Sequence, residues 1–183
     1  MRWVVFLRGV NVGGINRCRP ALIAKQLAKF GIVNIGAVGT FVVREDVSEP
    51  VLRAAIARKL PFQCEIMICP ARDIIKLSSK DPFSGQPASP MIVRFVSVAA
   101  KPLRKNVLAD LNQTSNIKVQ TSHPSDGDWL VKIIAIRGRF VLGLYRRQMK
   151  AIGYLGKIEK RLGVPVTTRS WSTIEKVVKV LKD

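Results

Sequence analysis

The order of apolar and polar positions divides the first half of the chain into strand-like and helix-like stretches. Trp3–Arg8 is nearly continuous in apolar residues, which suits a strand buried on both faces. Pro20 opens a helix at a position where its missing N–H costs nothing. Ile23, Leu27 and Phe30 follow at i, i+4 and i+7 as the core stripe, and Gly31 stops the helix. Ile32–Val38 and Phe41–Arg44 read as two strands joined about Gly39-Thr40. Ser48 caps a second helix whose buried face is Leu52, Ala55, Ile56 and Leu60, ended by Pro61. Cys64–Cys69 is a fourth strand. The resulting order, βαββαβ, is that of a ferredoxin-like split unit. A right-handed first crossover then places both helices on one face of a four-stranded sheet.

The second half alternates in the same way. Pro70–Ser78 reads as a short helix. Asp81–Pro90, DPFSGQPASP, is rich in proline and serine and marks a boundary. Met91–Val98 is a strand, Leu103–Leu111 a helix, Ile117–Thr121 a weak strand and His123–Asp128 a turn. Trp129–Ile136 and Arg139–Arg146 pair as a hairpin about Arg137-Gly138. Helix 151–162 puts Ile152, Leu155, Ile158 and Leu162 on one side and Lys150, Lys157, Lys160 and Arg161 on the other, and Gly163 and Pro165 end it. Ser172 and Glu175 form a capping box for a last helix. Its stripe of Ile174, Val177, Val178 and Leu181 needs a docking partner. The pattern predicts an α+β fold: a ferredoxin-like subdomain over residues 1–80, a linker over 81–90, and a second antiparallel α+β subdomain with C-terminal helices over 91–183.

Composition narrows the function classes. Hydrophobic residues make up 48% of the chain, enough for a real core, which argues against disorder. The longest apolar run, Trp129–Ile136, is interrupted by Lys132 and falls short of the ~18 residues of a membrane helix. Arg2 is the only early charge and no signal-peptide pattern follows. The reading is a cytoplasmic protein without membrane insertion. Cys18, Cys64 and Cys69 have unrelated spacings and His123 is the only histidine, so a Cys/His zinc site lacks its parts. No metal or cofactor is called for. Cys64 and Cys69 read as core thiols, while arginines beside Cys18 favour its thiolate.

Charge changes the picture most. The chain carries 31 basic and 12 acidic residues, a net charge of +19. Seventeen of the basic and six of the acidic residues lie in 101–183. Such an excess favours polyanionic partners such as nucleic acid, anionic lipid or acidic protein. A solubilising charge spread over the surface accounts for it equally well.

Three stretches carry candidate chemistry. The first is Leu7–Asn16, LRGVNVGGIN, and its continuation to Arg19. Gly9, Gly13 and Gly14 permit positive φ and close backbone approach, and successive amides in such a loop form an anion nest. Arg8, Arg17 and Arg19 supply planar donors for phosphate or carboxylate, with Asn11 and Asn16 as hydrogen-bonding partners. The same residues also suit a long loop built on glycine turns and Asx hydrogen bonds. Its length exceeds the usual 2–6 residues of a βα connection. Neither a Walker A loop nor a Rossmann fingerprint is present. The second stretch is TTRSWST, Thr167–Thr173, where Arg169, Trp171 and Thr173 surround a helix N-terminus suited to an anion. Trp171 serves equally as a core anchor. The third is the basic face Lys150, Lys157, Lys160 and Arg161 with Arg146 and Arg147 before it, which fits a phosphate backbone or simply a solvated helix face.

The first two stretches bracket nearly the whole chain. Together they resemble the bacterial domain-of-unknown-function family 1697, whose members open with LRGINVGG and end with TxRNWNT. The likeness lies in Leu7-Arg8-Gly9, Asn11-Val12-Gly13-Gly14 and Thr168-Arg169-Trp171-Thr173, with LSSKDPF (Leu77–Phe83) and IEKRLGVP (Ile158–Pro165) adding to it. The resemblance implies a two-part α+β fold with a ferredoxin-like first half, and no activity. Two segments depart from the pattern: Ala37-Val38-Gly39-Thr40 stands for Gln-Ser-Gly-Asn, and Arg146–Gly153 reads RRQMKAIG where a Ser-Lys segment is usual.

Three function classes follow. One is a module that binds an anionic ligand or nucleic acid through the Gly/Arg loop and the basic surface. Another is an enzyme or binder acting on a small phosphorylated or carboxylated metabolite, although no general base accompanies the loop; Asp81, Asp126 and Asp128 lie in other loops. The third is an interaction protein docking a partner through its last helix or a sheet edge.

Overall fold

The computed structural model describes residues 2–104, 117–119 and 129–183. Most of the expected helix Leu103–Leu111 and all of the turn His123–Asp128, with Asp126, lie outside the described residues. The chain divides into two units, Met1–Lys80 with Ser172–Asp183, and Asp81–Trp171.

The first unit runs β1 (Trp3–Leu7), α1 (Pro20–Gln26), a 3₁₀ turn (Ala28–Phe30), β2 (Ile32–Asn34), β3 (Thr40–Val43), α2 (Glu49–Ala57), β4 (Ile66–Pro70) and α3 (Ala71–Ser78). The sheet order is β2-β3-β1-β4, with every neighbouring pair antiparallel. β1 and β2 therefore run parallel with β3 inserted between them. Val5 and Leu7 of β1, Phe41 and Val43 of β3, and Ile66 and Ile68 of β4 share one core. Ile23 and Leu27 from the α1 segment and Leu52 and Ile56 from α2 pack into that same core, so both helices cover one face. The alternate residues Val4, Phe6, Val42 and Met67 point the other way and are buried as well. That is why the strand reads as continuously apolar. α3 packs against β1 and β4.

β2 ends at Asn34, short of the Val38 expected from sequence. Residues 35–39 instead form a turn with positive φ at Gly36 and Gly39, closed by Ile35 N–H donating to Thr40 O at 2.8 Å. Gly39 is needed there twice over. Its φ is +72°, and a Cβ would lie 2.8 Å from Leu7 Cβ and Cδ1, a contact that forces core side chains to move. Its carbonyl meanwhile accepts from Leu7 N–H at 2.8 Å.

The second unit contains β5 (Ile92–Ala99), β6 (Ile117–Val119), β7 (Val131–Arg137), β8 (Phe140–Arg146), α4 (Met149–Leu162) and β9 (Val166–Ser170). The order is β6-β7-β8-β5-β9. All pairs are antiparallel except β6–β7, which is parallel, so this half is not purely antiparallel. Phe95, Ala99, Val131, Ile133 and Val141 form one face with Ala151, Ile158 and Leu162 of α4. Gly163 ends α4 in the left-handed region, as its place after the apolar stripe requires. Ile152 does not join that stripe: it is 62% exposed.

Segment 81–90 packs into the second unit. Phe83 is fully buried, meets the Trp171 ring edge-on at 5.2 Å and lies under the Arg94 guanidinium at 5.6 Å. Gln86 Oε1 accepts from the buried Lys132 Nζ at 3.3 Å.

The last helix, α5 (Trp171–Lys182), begins one residue ahead of the expected Ser172 cap. The sequence pattern attached this helix to the second half. From Ser172 onward it groups with the first unit instead, where Arg2 Nη1 donates to Leu181 O at 3.1 Å and Arg44 Nη2 to Val180 O at 3.2 Å. An apolar stripe shows that a helix must dock and says nothing about which surface receives it. No helix among the described residues is long and apolar enough to cross a membrane.

Candidate functional site

The connection from β1 to α1 is a built loop. Its backbone takes positive φ at Gly9 (66°), Asn11 (53°), Gly13 (61°), Gly14 (78°) and Asn16 (51°). Val12 and Ile15 form a β-bridge, with Ile15 N–H donating to Val12 O at 3.2 Å and Asn11 N–H to Asn16 O at 3.2 Å. Gly13 and Gly14 are thus the tip of a small hairpin. The turns that join such strands need positive φ at both central residues, which glycine supplies without strain.

Asn11 anchors the loop. Its Nδ2 donates to Cys18 O at 2.9 Å and to Ala37 O at 2.7 Å, and its Oδ1 accepts from Cys18 N–H at 3.0 Å. One carboxamide therefore joins both ends of the loop and ties them to the β2–β3 turn. Asparagine fits for two reasons: it tolerates the left-handed region, and it offers donors and an acceptor together. Its amide is consumed by this work.

Asn11, Gly14, Arg17, Cys18 and Arg19 line an open pocket of about 420 Å³. Arg17 Nε donates to Gly14 O at 3.1 Å, which holds its guanidinium against the hairpin tip. Both arginines are exposed. The Arg19 side chain makes no hydrogen bond or ion pair among the described residues. Arg8 is half-buried, and its backbone N–H donates to Glu65 O at 3.0 Å, continuing the β1–β4 ladder.

The thiols here are not activated. Burial pushes the Cys18 thiol above its ordinary value, against the arginine-driven lowering expected from sequence. Burial also raises Cys64, where a hydrogen bond from the Arg8 backbone pulls the other way and the nearby Cys18 and Glu65 add to the rise. Desolvation outweighs the arginines because their charges sit in water, where an ion–thiolate interaction is weak.

The C-terminal motif is mostly interior. Thr167, Thr168 and Arg169 belong to β9, which pairs with β5 and places Arg169 opposite Val96. Arg169 is buried, donating through Nη1 to Thr167 Oγ1 at 2.7 Å and Thr168 O at 3.0 Å, and desolvation lowers it to about 10. Trp171 is buried against Phe83, and Thr173 is half-buried. The loop residues lie in the first unit and Arg169 and Trp171 in the second.

On α4, Lys150, Lys157, Lys160 and Arg161 are exposed, as is Arg147 before it. Arg146 is half-buried, 5.0 Å from the Trp129 ring centre in a cation–π contact. Sequence reasoning missed Ala37 and Cys18 as partners of Asn11, because both contribute only backbone atoms. It also missed the hairpin, although two glycines between β-branched residues are its cue.

Comparison with known proteins places this geometry in a family. The model of a protein family of unknown function, DUF1697, matches residues 1–125, which include the whole glycine–arginine loop. The conserved bacterial protein SP0830 from Streptococcus pneumoniae has a similar structure, with a TM-score of 0.62 at 16% identity, covering 100% of this chain and 98% of that one. At that identity the likeness concerns the fold. No curated protein matches the sequence. The chain belongs to the DUF1697 family of proteins of unknown function.

Proposed function

We propose that this protein is a binding module for an anionic ligand, held where Arg17 and Arg19 border the loop pocket. One observation carries the reading: two exposed guanidinium groups flank a pocket of about 420 Å³, and Arg19 has no hydrogen bond or ion pair among the described residues. The volume falls within the ~300–1,000 Å³ typical of small-molecule sites. Planar guanidinium donors suit phosphate and carboxylate. A phosphorylated or carboxylated small molecule is therefore the ligand class. The lining supplies donors and no general base: Asn11 is committed to the loop, and burial keeps Cys18 protonated. That favours binding over turnover.

Isothermal titration with a panel of phosphate monoesters and carboxylates at low salt tests the reading. We expect saturable binding that falls about tenfold or more in Arg17→Ala/Arg19→Ala, as charged hydrogen bonds worth roughly 1.5–3 kcal/mol are lost. No binding across the panel, or equal binding by the double variant, overturns it. The second reading is a polyanion such as nucleic acid, favoured by the net charge of +19. It requires duplex or single-stranded nucleic acid to bind with an affinity that falls steeply as salt rises.

A further inference from the structure

We propose that the outward face of α4 docks on an anionic lipid surface. The helix runs from Met149 to Leu162, and Ala151, Ile158 and Leu162 commit its inner face to the core. Met149 and Ile152 face water instead, 85% and 62% exposed. At i and i+3 they are neighbours on one side of the helix. Two large apolar side chains in water beside a run of cations form an amphipathic surface with no use inside the fold.

The cations are Lys150, Lys157, Lys160 and Arg161, all exposed. The one acidic residue of the helix, Glu159, is half-buried, and its Oε2 accepts from Val166 N–H at 3.4 Å at the start of β9. Its carboxylate is engaged with its own unit, so the outward face is cationic without relief. Gly153 and Gly156 lie on the exposed surface with nothing within 4 Å of where a Cβ would stand. They leave the ground between the apolar pair and the lysines low, so a flat surface can come close to the helix.

Charge complementarity and the apolar pair together identify the occupant. Lipid phosphates pair with the lysines while Met149 and Ile152 enter the boundary between headgroups and acyl chains, the mode of amphipathic interfacial helices. A nucleic acid backbone would engage the same cations and leave both apolar side chains in water. The contact is peripheral, because 14 residues are too few to span a bilayer. It is independent of the loop pocket.

Co-sedimentation of the full chain with vesicles of equal parts phosphatidylglycerol and phosphatidylcholine tests this, against vesicles of phosphatidylcholine alone. We expect binding to the anionic vesicles that weakens with salt and is lost on the neutral ones. Met149→Ser/Ile152→Ser removes only exposed apolar groups, so its melting temperature matches the parent. Its affinity for the anionic vesicles should fall about tenfold or more. Its affinity for duplex DNA, if any, should stay unchanged. No binding to anionic vesicles overturns the proposal, as does equal vesicle binding by the double variant. So does duplex DNA binding that the same substitutions weaken as much as vesicle binding.

Discussion

Replacing Asn11 separates the two jobs that one side chain does for the loop. Two of its three hydrogen bonds go to Cys18, at 2.9 and 3.0 Å, and the third to Ala37 at 2.7 Å. Each is worth a net of about 0.5–1.5 kcal/mol. The pair on Cys18 thus contributes roughly 2 kcal/mol, or about thirtyfold in the local opening equilibrium. Asn11 also sits at φ +53°, where alanine loses a further ~1 kcal/mol or more and glycine loses almost nothing. Amide hydrogen exchange at Cys18 reads this directly, because that N–H donates to Asn11 Oδ1. In Asn11→Gly, Cys18 protection should fall by about thirtyfold. In Asn11→Ala it should fall by roughly a further fivefold or more, the backbone penalty alone. Protection unchanged within about twofold in both variants would mean that the loop stands without its carboxamide, and the account of the site would fail. Equal loss in both would remove only the backbone contribution.

Phe83→Ala should cost about 3–5 kcal/mol, because a fully buried ring is replaced by a cavity; urea unfolding followed by circular dichroism checks it, and a cost under about 1 kcal/mol would return segment 81–90 to the status of a free linker. For Cys18 and Cys64, burial raises both thiols above the ordinary 9.0. The folded state therefore holds these protons more tightly than the unfolded chain. Their contribution to stability is full below pH 9 and is lost as pH climbs through the raised values. Alkylation at neutral pH should be slower at both than at a free cysteine, and mass spectrometry of timed iodoacetamide reactions would expose the opposite.

How much of this was legible in the residues depended on how local the cause was. The α1 stripe, the Gly163 stop and the βαββαβ order follow from periodicity and backbone preference within a few positions, whereas α1 itself ends at Gln26 and Gly31 closes the 3₁₀ turn after it. β2 stopped short of Val38 because Gly39 must meet Leu7, a contact 32 positions away. β9 was hidden inside TTRSWST, although Val166, Thr167 and Thr168 are β-branched in succession, which suits a strand. Ile152 fitted a helical stripe by spacing, yet the side of α4 that meets the core carries Ala151, Leu155, Ile158 and Leu162, and Ile152 is left in water. In the loop, the glycines and arginines were visible as candidates. That Asn11 spends its amide on backbone atoms of Cys18 and Ala37 was not, since backbone partners leave no trace in side-chain identity.

The division of the chain has a consequence for how it is made. Residues 81–171 are an insertion in the unit formed by Met1–Lys80 and Ser172–Asp183. During synthesis the first eighty residues emerge early but lack α5 until the 91 residues of the inserted unit have been made. The inserted unit is complete in sequence before the first unit is. Domains generally fold as units as they emerge, so here the unit that starts first is the one that must wait, without the buried side chains Ile174, Val177 and Leu181 until α5 follows the inserted unit.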